Sequence, residues 1–187
     1  MPVETKAETL TATECAILGL LARGAMSGYD LKKAIDGSVG YFWGPAKSQI
    51  YAVLPGLVEA GHARSRKVAQ SRRPDKEVYR ITPRGRAALR RWIEEPPVQP
   101  TPDRNPLLLK IFFGDHASPA ALLDQVRARR DEMKKMKAEL AAIDEKARGR
   151  EHDFFPRLTR IYGQRYAEAI IRWADEVERE LGRRVAR

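Results

Sequence analysis

Pro45–Gly61, PAKSQIYAVLPGLVEAG, is the stretch on which the fold turns. Ile50, Val53, Leu54, Leu57 and Val58 stand at i, i+3, i+4, i+7 and i+8, which is one apolar stripe on a helix. Gly44 is expected as the N-cap and Pro45 as the first helical residue, where a missing N–H costs nothing. Gly61 is a natural stop. At about 100° per residue, Pro45, Ser48, Ala52 and Pro55 fall opposite the stripe, with Gln49 and Tyr51 beside them. A solvent face usually carries Glu, Lys and Arg. This one is small and neutral, with Ser, Gln and Tyr as its hydrogen-bonding groups. Such a face can lie close against another surface, and base edges in a DNA major groove are one such surface. A short core helix with an ordinary outer face fits the same residues, so the flanks decide.

Upstream, Thr11-Ala12-Thr13-Glu14 reads as a capping box, with Leu10 and Cys15 at the staple positions. The helix it opens runs to about Arg23. It is apolar around much of its girth (Ile17, Leu18, Leu20, Leu21) and is expected to be buried. Gly24–Met26 is a turn. Ser27 caps a second helix with Asp30 three residues on, and Tyr29, Leu31 and Ile35 are expected to face inward. Gly37, Gly40 and Gly44 then break the chain. Downstream, Ala63–Gln70 and Glu77–Ile81 read as strands around the basic, turn-forming tip SRRPD, Ser71–Asp75, and so as a hairpin. Thr82-Pro83 supplies an N-cap and an N1 proline. The fourth helix, with Leu89, Trp92 and Ile93 expected inward, ends at Glu94-Glu95. Three helices, a two-stranded wing and a helix make a winged helix-turn-helix. There the third helix enters the major groove and the wing lies along the backbone or minor groove.

The charge agrees. The 187 residues carry a net +10 and a pI near 9.9. Between Gly61 and Arg91 eleven Lys and Arg oppose Asp75 and Glu77, a net +9 in one short segment. So concentrated an excess points to a polyanion. No apolar run is long enough to span a membrane, and the N-terminus lacks a basic-then-apolar signal pattern, so the chain is expected in the cytoplasm. The lone Cys15 fits a reducing compartment and reads as a small core residue.

Glu95–Pro106, EPPVQPTPDRNP, is a proline-rich linker. The expected division is a DNA-binding domain at 1–95, a linker at 96–106 and a helical dimerisation domain at 107–187. Leu107–Phe113, LLLKIFF, is too apolar for exposure and is expected as a short packed helix at the junction of the two halves. Ser118-Pro119 starts the longest helical pattern, to about Arg148. Its seam is Val126, Arg129, Met133, Met136, Leu140, Ile143 and Ala147 in alternating steps of three and four, and Gly149 ends it. Pro156 is expected to open a last helix with Leu158, Ile161, Tyr162, Tyr166, Ala169, Ile170, Trp173, Val177 and Leu181 on one side. Two such seams on a short chain call for a second copy, although an intramolecular hairpin would also bury part of them. The fold class is mainly α: a winged helix-turn-helix with a two-stranded wing, then long C-terminal helices.

With SGYDL (Ser27–Leu31), SQIYAVLPGLVEAG (Ser48–Gly61), VYRITPRGRAAL (Val78–Leu89) and LLLKIFFG (Leu107–Gly114), the chain resembles PadR-family transcriptional regulators of the branch with a two-helix C-terminal domain. The resemblance implies a homodimeric winged-helix protein bound to double-stranded DNA, usually a repressor and often released by a small molecule. Ser48, Gln49 and Tyr51 match the family's recognition-helix motif. Gln bonds an adenine edge in a bidentate way, Ser donates or accepts, and Tyr reaches a phosphate or a thymine methyl. Lys47 suits a phosphate, and Tyr29 and Lys32 suit the backbone. Arg72, Arg73 and Lys76 of the wing contribute affinity and salt dependence; Arg64, Arg66 and Lys67 are weaker candidates. Phe42, Trp43, Phe113, His116, Tyr162 and Trp173 supply the surface for an aromatic or apolar effector, expected near the junction of the domains.

No cofactor is indicated. His62, His116 and His152 are isolated and Cys15 has no nearby ligand partner, so no metal site is read. No Walker loop, dinucleotide fingerprint or GxSxG elbow occurs, and nothing points to an enzyme. The rival reading is a dimeric winged-helix protein-interaction module that does not read DNA, and the wing charge argues against it.

Overall fold

The computed structural model describes residues 10–69, 76–96, 104–149 and 152–185. The chain divides into two compact units, Met1–Gln99 and Pro100–Arg187. In the first, α1 (Ala12–Leu21), α2 (Gly28–Asp36) and α3 (Lys47–Glu59) precede β2 (Ala63–Val68), β3 (Lys76–Ile81) and α4 (Pro83–Glu94). Both expected capping boxes are present. Thr11 and Ser27 accept from the backbone of Glu14 and Asp30, whose carboxylates accept in return. Ile17, Leu18, Leu21, Leu31, Ile35, Ile50, Leu54 and Leu57 form the core. Cys15 is buried among them, and burial pushes its thiol up to about 11, so it is an inert packing residue.

Several expectations are corrected. The reading helix begins two residues late: Ala46, not Gly44, is the N-cap, and Pro45 lies before the helix and is buried, not on the outer face. Tyr29 points outward, 65% exposed, because its neighbour Leu31 takes the inward position. The turn before α2 contains a short strand, β1 (Met26–Ser27), which pairs antiparallel with β3, so the sheet order is β1-β3-β2. Two residues are too few to show an alternation. On α4 the buried positions are Gly85 and Ala88, with Leu89 half-buried, whereas Trp92 and Ile93 are exposed.

The root of the hairpin is tightly tied. Gly61, at φ 70°, ends α3 in the left-handed conformation. The N–H of His62 donates to the carbonyl of Leu57 and that of Gly61 to Val58, a Schellman closure. Thr82 caps α4 and also donates its backbone N–H to the His62 carbonyl at 3.0 Å and its hydroxyl to the Gly61 carbonyl at 2.7 Å. Gly85 faces the same turn, and a Cβ there would stand 2.0 Å from the His62 carbonyl oxygen. The glycine of the ITPRG segment is therefore required by close approach, not by backbone angles.

In the second unit α5 (Pro106–Phe112) is followed by α6 (Pro119–Ala147) and α7 (Phe154–Val185), which pack on each other. The last helix opens at Phe154, ahead of Pro156, and is longer than α6. The expected α6 seam holds, with Val126, Met133, Leu140 and Ala147 buried. Its one arginine, Arg129, donates to Tyr166 Oη at 3.3 Å and to Glu132 at 2.6 Å. On α7 the inward residues are Arg160, Gly163, Ala167 and Ala174, mostly small, so the two helices can approach closely. The larger residues expected to be buried stand aside: Tyr162 is 66% exposed, and Leu158 is exposed too. Arg160 is buried between Asp144 and Asp153, at 2.6 Å from each. The short α5 forms, but Leu108, Leu109 and Phe112 are exposed, Phe112 by 80%. Within one chain, apolar character alone does not bury it.

Candidate nucleic-acid interface

Ser48, Gln49, Tyr51, Ala52 and Pro55 lie together on the exposed side of α3, opposite Ile50, Leu54 and Leu57. Two devices fix this face. At the helix start the N–H of Ala46 donates to Gln49 Oε1 at 2.9 Å. Ala46 has no side-chain acceptor, so Gln49 provides the only side-chain bond of the cap. One turn on, the Tyr51 ring lies against α2. A Cβ on Gly28 would be 2.7 Å from Tyr51 Cζ, so only glycine lets the ring lie there. Lys47 Nζ sits 5.7 Å from the centre of the same ring, within cation–π range.

The wing is joined to α2. Lys76 Nζ donates to Asp30 Oδ2 at 3.0 Å, the oxygen that also accepts from the Ser27 backbone and hydroxyl. The Ser27 hydroxyl first, then the Ser27 backbone N–H and Lys76, hold the Asp30 carboxyl down at about 2. Lys76 is thus already paired within the chain, and Lys32 is paired with Asp36. Arg64, Ser65, Arg66 and Lys67 are all exposed on β2. Arg64 stands directly across from Arg80, with no carboxylate on either among the described residues. Two cations facing each other on a ladder are unfavourable, and an anion beside them relieves that. Arg80 escaped the sequence reading because only the register reveals its partner. Arg72 and Arg73 lie outside the described residues. Of the segment's other cations, Arg84, Arg86, Arg90 and Arg91 belong to α4, not to the hairpin.

Of the six effector candidates, Phe42 and Trp43 lie in the first unit and Phe113, His116, Tyr162 and Trp173 in the second. Phe42 and Trp43 are exposed just before α3, with Phe42 edge-on to Tyr41. Phe113 is edge-on to Phe112, His116 is exposed, Tyr162 is stacked on Tyr166, and Trp173 is half-buried. Two surface cavities, of about 390 and 460 Å³, are lined by Pro83, Arg86, Ala87, Arg90, Arg91 and Glu94, and by Asp144, Arg148, Gly149, Asp153, Phe154 and Arg157. No group of His, Cys, Asp and Glu suited to a metal ion occurs among the described residues. Nor is any described helix long and apolar enough to cross a membrane.

A three-helix core with an exposed neutral helix, flanked by a cationic two-stranded wing, defines a winged-helix DNA-binding regulator. Residues 17–91 match the model of the Transcriptional regulator PadR-like family, and residues 104–182 match Virulence activator alpha C-term. The chain is 36% identical to the Probable transcriptional regulator Rv1176c of Mycobacterium tuberculosis, over 89% of this chain and 95% of that one. It is 31% identical to the Negative transcriptional regulator PadR of Bacillus subtilis, over 68% and 69% of the two chains. The chain belongs to the PadR-like family of transcriptional regulators. The crystal structure of B. subtilis PadR in complex with operator DNA superposes with a TM-score of 0.80 at 25% identity, covering 91% of this chain and 99% of that one. The same protein in complex with p-coumaric acid shares the fold, at a TM-score of 0.72 and 23% identity over 92% and 98% of the two chains.

Proposed function

We propose that this chain is a repressor that binds a palindromic operator as a homodimer and is released by a small aromatic ligand. The observation that carries the DNA contact is the exposed Ser48-Gln49-Tyr51 face, fixed by the Gln49 cap and by the seat on Gly28, with Arg64 and Arg80, which have no carboxylate partner among the described residues, facing each other on the hairpin. In this reading Ser48, Gln49 and Tyr51 meet base edges, and Lys47, Tyr29, Arg64, Arg72, Arg73 and Arg80 meet the backbone. Lys32 and Lys76 act through Asp36 and Asp30, holding α2 and the wing in place. Repression is supported by the negative regulator among the relatives, and an aromatic effector by the p-coumaric acid complex of B. subtilis PadR.

Dimerisation is supported by the apolar surface left open on α5 and α7: Leu108, Leu109, Phe112, Phe154, Phe155, Leu158 and Tyr162. Apolar patches of this kind, one on α5 and one at the start of α7, call for a partner surface. Two reading heads on one duplex need half-sites a helical turn apart, about 10 bp centre to centre. The test joins sedimentation of the purified protein with gel-shift and footprinting on its own promoter region at two salt concentrations. A dimer that protects a repeated half-site and weakens steeply with salt is expected. A monomer that ignores DNA in dilute buffer ends the proposal.

A further inference from the structure

We infer that Ala52 and Pro55 read thymine, through apolar contact with its 5-methyl group. The inference rests on the DNA-binding reading above and adds two residues to it. Ser48, Ala52 and Pro55 stand at i, i+4 and i+7, and so form the middle row of the exposed side of α3, opposite Ile50, Leu54 and Leu57. Ser48 can hydrogen-bond a base. Neither Ala52 nor Pro55 has a polar side-chain atom, and Pro55 has no N–H. In the pattern that base pairs show to the major groove, the thymine methyl is the one apolar group. Both side chains are short, so the contact needs the helix close to the base edges, and no long side chain in the row holds it off. Stability does not account for Pro55. Inside the helix it removes the bond that an N–H at 55 would give the Tyr51 carbonyl, and its exposed ring gains nothing from the core. The Tyr51 ring, the large apolar group on this side, is already seated on Gly28, with Lys47 Nζ 5.7 Å from its centre. The row ends at Glu59, exposed four residues on, whose carboxylate the phosphates repel. Residues three apart on a helix hold their Cβ atoms about 5–6 Å from each other. At about 3.4 Å per base pair, the two methyls then belong to neighbouring base pairs or to pairs one apart.

The operator is first selected from a random duplex library with the full-length protein. Each thymine of its half-site is then replaced singly by uracil, which lacks only the methyl. Affinities are read by fluorescence anisotropy for the parent, Ala52→Gly and Pro55→Ala. Both positions are exposed, so neither change disturbs the core. The parent should lose about fourfold at each of two nearby thymines, the value of one methyl taken out of water. Ala52→Gly should abolish the loss at one of them, and Pro55→Ala should reduce it at the other. Thymine and uracil are compared within each protein, so a variant that binds more weakly overall still reports. Uracil tolerated at every position with a loss below about twofold would overturn the inference. So would losses that stay unchanged in both variants, which would assign the methyls to another side chain. A half-site motif without thymine would overturn it as well. A parent that enriches no sequence removes the DNA-binding reading itself, and the absence of a motif separates that failure from the others.

Discussion

Gly85→Ala tests how rigidly the wing is fastened to the reading helix. The added Cβ would meet the His62 carbonyl oxygen at 2.0 Å and its carbon at 2.9 Å, where ordinary contact begins at 3.4 Å. Both are backbone atoms, so no side chain can swing aside, and the first turn of α4 has to retreat by about 1 Å or more. The same carbonyl accepts the Thr82 N–H at 3.0 Å, and the Thr82 hydroxyl reaches the Gly61 carbonyl at 2.7 Å. A retreat of that size stretches both beyond hydrogen-bond range. Two lost bonds at about 1 kcal/mol each and a weakened cap at about 1 kcal/mol are offset by the better helix propensity of alanine, about 1 kcal/mol. The net loss is roughly 2 kcal/mol, or a fall in melting temperature of about 8–16 °C for a unit of this size. Far-UV circular dichroism melts measure it. Gly56→Ala is the control: it lies inside α3 with nothing near its Cβ, and it should gain about 0.5–1 kcal/mol. A Gly85→Ala protein melting within about 2 °C of the parent would refute the claim that this turn cannot yield.

Gly28→Ala should act differently, because its Cβ meets the movable Tyr51 ring and not backbone. Stability should change by less than about 1 kcal/mol, while operator affinity, read by fluorescence anisotropy, should fall severalfold as the ring leaves its seat. Asp30 sets an acid limit on the wing. Its carboxyl is held at about 2 against an ordinary 3.8, so its contribution is fully present above about pH 5 and is lost as pH falls through 4 toward 2. At 40% side-chain exposure screening reduces it to about 1 kcal/mol. Asp30→Asn should be less stable than the parent at neutral pH, and the gap should close across that window in urea titrations. Arg160→Met should cost about 3 kcal/mol, since it leaves Asp144 and Asp153 facing each other half-buried. Adding Asp144→Asn should recover part of the loss in the same denaturation assay.

The helices with clear periods and caps could be read directly. Thr11/Glu14, Ser27/Asp30 and Thr82-Pro83 announce their helices by local chemistry, and the structure places all three as expected. Neighbour-dependent features could not be read. Pro45 looks like an N1 proline, yet it is buried ahead of the helix, and Gln49 caps the helix two residues later. Met26–Ser27 becomes a strand only because β3 lies beside it. On α7 the large side chains define an apolar stripe, but the surface facing α6 is chosen by what fits closely, and that is Gly163, Ala167 and Ala174. For the interface, the residue types on α3 were legible, but the bonds already made by Gln49, Lys32 and Lys76 were not, since each depends on where a side chain lies in three dimensions.

The knot at Gly61, His62 and Thr82 has a bearing on how such a protein can be switched. It makes the tail of α3 and the base of the hairpin a single solid piece, so neither arm of the grip can be retuned while the other stays engaged. In the proposed ligand-released dimer, a signal would then have to shift or tilt each head whole, and control would reside in the distance between two unbending parts.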